Sequence, residues 1–117
     1  MDTQQADLTV EVRHLGTSVE ITISGELDLA TAPTMRSTIA DVLRARPEIA
    51  VVDLRDVGFI DSSGIHALLA SRRHAIAAGT RLVILRPAGP ADQALALSGL
   101  DSLFPHVERA GTSAQAA

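Results

Sequence analysis

The run IAVVDL, residues 49–54, is apolar at every position except Asp53. Unbroken apolar runs of this length belong to strands covered on both faces or placed at the centre of a sheet. RLVIL at 81–85 is a second such run, and the pattern between the two is helical. Two buried strands joined through a helix call for a parallel pair and a crossover, so the chain is constrained to an α/β fold.

The rest of the chain agrees with that class. LTVEVRH (8–14) alternates, with Leu8, Val10 and Val12 on one face, and VEITISG (19–25) alternates with Val19, Ile21 and Ile23. Both read as half-buried strands, with LGTS between them as a hairpin turn. Then the period changes: Met35, Ile39, Val42 and Leu43 recur at helical spacing. Thr31 is placed to N-cap this helix, Pro33 suits its first turn, and Pro47 stops it. In SGIHALLASRRHAIAAG (63–79), Ile65, Leu68, Leu69 and Ile76 form a stripe that Gly79 ends. GPADQALALSGL (89–100) is a short helix opened by Pro90 and closed by Gly99, with Leu100 folding back over Leu95. LFPHVER (103–109) is a last edge strand weakened by Pro105. The predicted order is β-β-α-β-α-β-α-β, a mixed central sheet with packed helices. There is no repeat and no linker, so one domain is expected over residues 8–109, between a flexible N-terminus (1–7) and a flexible tail (110–117).

Binding sites of open α/β sheets lie beyond the carboxyl ends of strands. DVGFIDSSG (56–64) stands at such an end. Asp61 or Ser62 can N-cap the following helix. Gly64 falls in its first turn, where glycine costs about 1 kcal/mol against alanine, and close approach of another backbone would account for it. Asp28 ends a neighbouring strand at the same end of the sheet, so Asp28 and Asp61 should lie close together and form an acidic rim. Phe59 and Phe104, the two aromatic residues, are expected in the core, with Phe59 also placed to line an interface.

Several function classes are disfavoured. The net charge is −4, all ten basic residues are arginine, and Tyr and Trp are absent. Nucleic acid and anionic membranes are poor partners for such a chain. Without cysteine there is no thiolate chemistry, and the four histidines lack metal-ligand spacing. Ser62, His66 and Asp61 suggest a triad on paper, but residues on one helix turn supply neither an oxyanion hole nor a pocket. No cofactor motif is present, and the chain reads as a binding protein, not an enzyme. No apolar run approaches the roughly 20 residues of a membrane span, and the polar, acidic start is unlike a signal peptide. A soluble cytoplasmic location, as a monomer or weak dimer, is expected. Arg72, Arg73 and His74 read as a solvated helix face, and His14 and His106 as solvent-facing strand residues. What remains for the turn is that a serine hydroxyl is itself a substrate. Phosphate there would add about −1.5 to −2 charges at a helix N-terminus that tolerates them. The fold would stay intact while one surface changed.

VVDLRDVGFIDSSGIHALL resembles the signature of the STAS domain, in particular of bacterial anti-sigma factor antagonists. ISGELDLATAPTM and ALALSGLDSLFP resemble the family's other markers, in family order over about residues 8–109. The resemblance implies a protein that binds a cognate anti-sigma factor, a GHKL-type serine kinase, and so releases a sigma factor. It implies Ser62 as the phosphoacceptor, with Ser63 second in line, and a PP2C-type phosphatase that restores it. By position it also implies partner contacts at Asp28, Asp61, Ser62, Ser63, Gly64 and Ile65, with no cofactor or metal. The alternative it allows is a STAS regulatory subunit of a transporter or stress-sensing complex.

Overall fold

The computed structural model describes residues 2–5, 7–104 and 107–108. A hairpin opens the fold: β2 (Leu8–Leu15) and β3 (Ser18–Leu27) pair antiparallel, with Val10 opposite Ile23 and Val12 opposite Ile21. Both strands turn those residues inward and leave Glu11, Arg13 and Glu20 on the other face. Helix α1 (Ala32–Leu43) carries the chain to β4 (Ile49–Ile60), and α2 (Ser62–Ala78) carries it to β5 (Arg81–Leu85). β3, β4 and β5 are parallel. Helix α3 (Gly89–Ser98) and a short 3-10 turn (Leu100–Ser102) lead to β6 (Val107–Glu108), parallel to β5. The sheet is mixed, as expected, with its strands in sequence order.

The segment read as a flexible N-terminus contributes a strand. β1 (Asp2–Gln5) pairs antiparallel with the outer edge of β2. DTQQ has no apolar alternation to announce it; its place comes from backbone ladder bonds on an edge that would otherwise be open. The tail at 110–117 and His106 lie outside the described residues.

One core joins the inner sheet face to the helices. Ile21, Ile23, Ala50, Val52 and Leu54 lie against Met35, Ile39 and Leu43 of α1 and Leu68 of α2, all fully buried. Full burial of a Leu or Ile side chain contributes about 1.5–3 kcal/mol. β4 is central, yet only one of its faces is fully buried: Ile49, Val51 and Asp53 on the other face are half-buried. There, partial burial pushes the Asp53 carboxyl up. The hydrogen bonds and charge of Arg55, 2.9 Å away, outweigh it and hold the carboxyl below the usual carboxylate range.

α2 departs from the expected stripe. Its buried positions are Gly64, Ala67, Leu68, Ser71 and Ala75, while Ile76 is exposed. Small residues let the helix sit close to the sheet, and that rotates Ile76 outward. Gly79 and Gly99 end α2 and α3 in the left-handed region, and Leu95 and Leu100 are both buried. Arg72 is not simply solvated: its guanidinium donates to the Leu103 carbonyl at 2.7 Å, while Arg73, His74 and His14 are exposed. No described helix is long and apolar enough to cross a membrane.

Candidate functional site

The last ladder pair between β3 and β4 joins Leu27 to Ile60. One step further, the Asp61 N–H donates to the Leu27 carbonyl at 3.0 Å. The two strands therefore release their chains side by side. The loop at Asp28 and the turn at Asp61 form one surface at the carboxyl end of the sheet, as the sequence led us to expect.

Asp61 is the N-cap of α2. Its backbone is extended, and its Oδ1 accepts from the Ser63 N–H at 2.8 Å and the Gly64 N–H at 3.3 Å. Two of the amides that a helix start leaves unpaired are thus satisfied by one carboxylate. Ser62 has no part in this. It is the first helical residue and is exposed, and among the described residues no hydrogen bond holds its hydroxyl. Asp61→Ala is expected to cost about 1 kcal/mol and to lower the thermal midpoint by on the order of 5 °C. Ser62→Ala should leave the midpoint within about 2 °C, because the cap is untouched. Circular dichroism melts of the two variants check the assignment, and equal losses would contradict it.

Gly64 lies beneath the surface. A Cβ on it would stand 2.9 Å from the Leu27 Cβ and 3.1 Å from the Leu27 carbonyl oxygen. Glycine is what lets the first turn of α2 rest on the end of β3. Ile65 is half-buried against the core.

The loop after β3 is braced from within. Asp28 Oδ1 accepts from the N–H groups of Ala30 and Thr31, each at 3.0 Å. The Thr31 hydroxyl donates to the Glu26 carbonyl at 2.6 Å and accepts from the Asp28 N–H at 3.0 Å. Thr31 stands at the N-cap position of α1, yet its side chain makes no cap bond to that helix. Its hydroxyl closes the loop behind it instead. This is an aspartate turn of the kind that competes with helix capping.

Two apolar residues flank the turn. Phe59 is 47% exposed, against the expectation that it packs in the core. The β3–β4 register shifts twice near this end, and burial on β4 then falls on Val57 and Ile60, which turns Phe59 outward beside Glu26. Phe104 is buried as expected. Leu29 is 78% exposed at the tip of the braced loop. It stands at the mouth of a groove of about 490 Å³ between α1 and α2, where Arg36, Ser63 and His66 also line the wall. Sequence reasoning passed over Leu29 and the groove. The available signal was that Leu29 fits neither the strand period before it nor the helical period after it.

Among the described residues, Asp61, Ser62 and His66 are not joined as a triad. Asp61 Oδ1 is committed to helix amides, and among the described residues no hydrogen bond joins His66 to Ser62 or Ser63. Among the described residues no three His, Cys, Asp or Glu side chains are grouped to hold a metal ion.

Comparison with known proteins bears on the chain as a whole. The family model of the STAS domain matches residues 9–113. The anti-sigma-F factor antagonist RsfB of Mycobacterium tuberculosis is 32% identical over 98 residues, which span 83% of this chain and 79% of RsfB. A crystal structure of an anti-sigma factor antagonist from Mycobacterium paratuberculosis superposes with a TM-score of 0.77 at 29% identity, over 86% of this chain and 85% of that one. The Bacillus cell fate determinant SpoIIAA in its phosphorylated form shares the fold, with a TM-score of 0.67 at 24% identity over 92% of this chain and 95% of that one.

Proposed function

The chain belongs to the STAS domain family, and from that premise we propose that it is an anti-sigma factor antagonist switched by phosphorylation of Ser62. Proteins of that kind work by binding, not by catalysis. In its unphosphorylated form the chain docks on an anti-sigma factor through the surface around Asp28, Asp61, Ser62 and Ser63, with Gly64 and Ile65 seating the helix beneath. Docking frees a sigma factor in the cytoplasm. The anti-sigma factor is a serine kinase of the GHKL type, and a PP2C-type phosphatase reverses its action.

The observation that carries this reading is the state of Ser62. Its hydroxyl is exposed at a helix start whose cap comes from another residue. A phosphate can be added without removing a structural bond. The added charge of about −1.5 to −2 meets the positive end of the α2 dipole, which favours it by about 0.3–1 kcal/mol. The fold therefore keeps its stability. The surface does not keep its character, because the new charge joins Glu26, Asp28 and Asp61 at one end of the sheet. A partner presenting Arg or Lys to a mild acidic rim meets a doubly charged, bulkier group where it fitted a hydroxyl.

Phosphorylation by the purified anti-sigma factor with ATP, followed by intact-mass spectrometry, tests the acceptor. Wild type and Ser63→Ala should each gain one phosphate, and Ser62→Ala should gain none. A Ser62→Ala protein phosphorylated at the wild-type rate would move the switch elsewhere.

A further inference from the structure

We propose that Leu29, and not Asp28, is the contact residue of the loop after β3, and that Leu29 and the α1–α2 groove receive an apolar side chain of the anti-sigma factor flanked by a carboxylate. The proposal rests on the anti-sigma factor reading above and names the chemistry of that partner's surface.

The Asp28 carboxylate already has work. It accepts from two backbone N–H groups of its own loop, and the Thr31 hydroxyl, in a residue only 2% exposed, ties the same loop to Glu26. Every one of those carboxylate bonds falls on Oδ1, so the first task of the side chain is to fix its own loop. Asp28 is a positioning residue. What it positions is Leu29, which is 78% exposed. A leucine on a floppy loop can fold down onto nearby apolar surface, but one on a cross-braced loop is held out where a partner can bury it. Well-packed apolar anchors of this sort carry much of the binding energy of protein interfaces.

The groove beside it says what arrives. Pro33 and Ala67 contribute apolar wall, Arg36 and His66 contribute the ionisable groups, and among the described residues no carboxylate lines it. Among the described residues Arg36 has no ion-pair partner. An apolar side chain next to an Asp or Glu fits both features. The groove is also continuous with the switch: Ser63 donates its N–H to Asp61 and lines the groove wall. The surface thus runs from an acidic end at Glu26 and Asp61, past Leu29, to a basic end at Arg36. One protein face with the opposite order of charges covers all of it, and that is the reason to assign a single occupant.

Surface plasmon resonance with the purified anti-sigma factor of the source organism tests this on the full chain. Leu29→Ser should weaken binding at least about tenfold, or about 1.4 kcal/mol, and Arg36→Glu at least about threefold. Leu15→Ser, an exposed leucine on the β2–β3 hairpin at the opposite end of the sheet, should stay within about twofold of wild type. Asp28→Asn keeps an Oδ1 acceptor for the loop and should bind within about threefold of wild type, whereas Asp28→Ala should weaken binding as Leu29→Ser does. Thermal melts of Leu29→Ser and Leu15→Ser should coincide with wild type. If Ser62→Asp abolishes binding while Leu29→Ser binds like wild type, the switch stands and this inference falls. If Asp28→Asn loses binding at an unchanged melting point, Asp28 is itself the contact and the assignment is wrong. If light scattering shows a wild-type dimer that Leu29→Ser disperses, the groove belongs to a second copy and the inference falls. If wild type does not bind, the functional reading falls first and this one with it.

Discussion

Gly25→Val is expected to lower the thermal midpoint by about 10 °C or more. Gly25 has φ +113°, a backbone conformation that side chains with a Cβ rarely adopt. Holding another residue there costs about 1–3 kcal/mol. The space is also missing. A Cβ would lie 2.2 Å from the Asp7 carbonyl oxygen and 3.3 Å from the Leu8 Cα. Those are backbone atoms, and they are tied down: the Asp7 carbonyl accepts from the Glu26 N–H at 2.9 Å, and Leu8 is paired with Gly25 across the hairpin. Overpacking of this kind adds about 1–3 kcal/mol. Together the two effects reach about 2–6 kcal/mol, a large part of the roughly 5–15 kcal/mol that holds an ordinary domain together. Gly58, on neighbouring β4, is the control. It has no positive φ, and nothing lies within 4 Å of where its Cβ would stand, so Gly58→Ala should be neutral or stabilise by up to about 1 kcal/mol. If the two variants melt together, the close approach at Gly25 is not what the chain needs from glycine. The effect reaches the site as well, because a register shift falls between Gly25 and Glu26. The extra residue of that shift is Gly58 on β4, while Leu27 keeps the inward phase of Ile21 and Ile23 and ends the strand just before Asp28.

How far the sequence exposed this architecture depends on what each element owes to local pattern. The alternation of LTVEVRH and VEITISG, the unbroken IAVVDL and the helical period of α1 are local signals, and each became the element expected. Asp61 as a cap was legible for the same reason, since a cap is decided within four residues. Phe59 was not. Apolar character alone places it inside, but two register shifts against β3 decide which way it faces, and a shift is a property of a pair of strands. Ile76 fails similarly: it fits a helical stripe, yet the close seating of Gly64, Ala67, Ser71 and Ala75 sets the rotation of α2. DTQQ became a strand because an edge was available to it. Asp28 was correctly placed beside Asp61 by strand order, but its inward hydrogen bonds, and so the prominence of Leu29, depend on the fold of a short loop that no periodicity describes.

Ser62→Asp is expected to weaken binding of the anti-sigma factor at least tenfold, about 1.4 kcal/mol, while the thermal midpoint stays level or rises slightly. The two effects have opposite signs because they act on different sides of the same residue. Toward its own helix, a carboxylate at the first position of α2 faces the positive end of the dipole and is favoured by about 0.3–1 kcal/mol. Asp61 keeps its bonds to Ser63 and Gly64, so no cap is lost. Toward the partner, the new charge stands beside Asp61 at the exposed end of the sheet and must be desolvated or repelled when the interface closes. Ser62→Asn separates charge from size. It should bind within about threefold of wild type if charge is the cause, and as weakly as Ser62→Asp if volume is. Ionic strength gives the same division. Repulsion between exposed charges is screened over about 8 Å at physiological salt and about 3 Å at 1 M, so an electrostatic loss shrinks at high salt and a steric one persists. Titration calorimetry at two salt concentrations, with melts alongside, reads all of these. A Ser62→Asp protein that binds as tightly as wild type would remove Ser62 from the switch. One that loses binding together with several degrees of melting temperature would make the loss a consequence of unfolding, and the exposed hydroxyl of Ser62 would then carry a structural duty that its surroundings give no sign of.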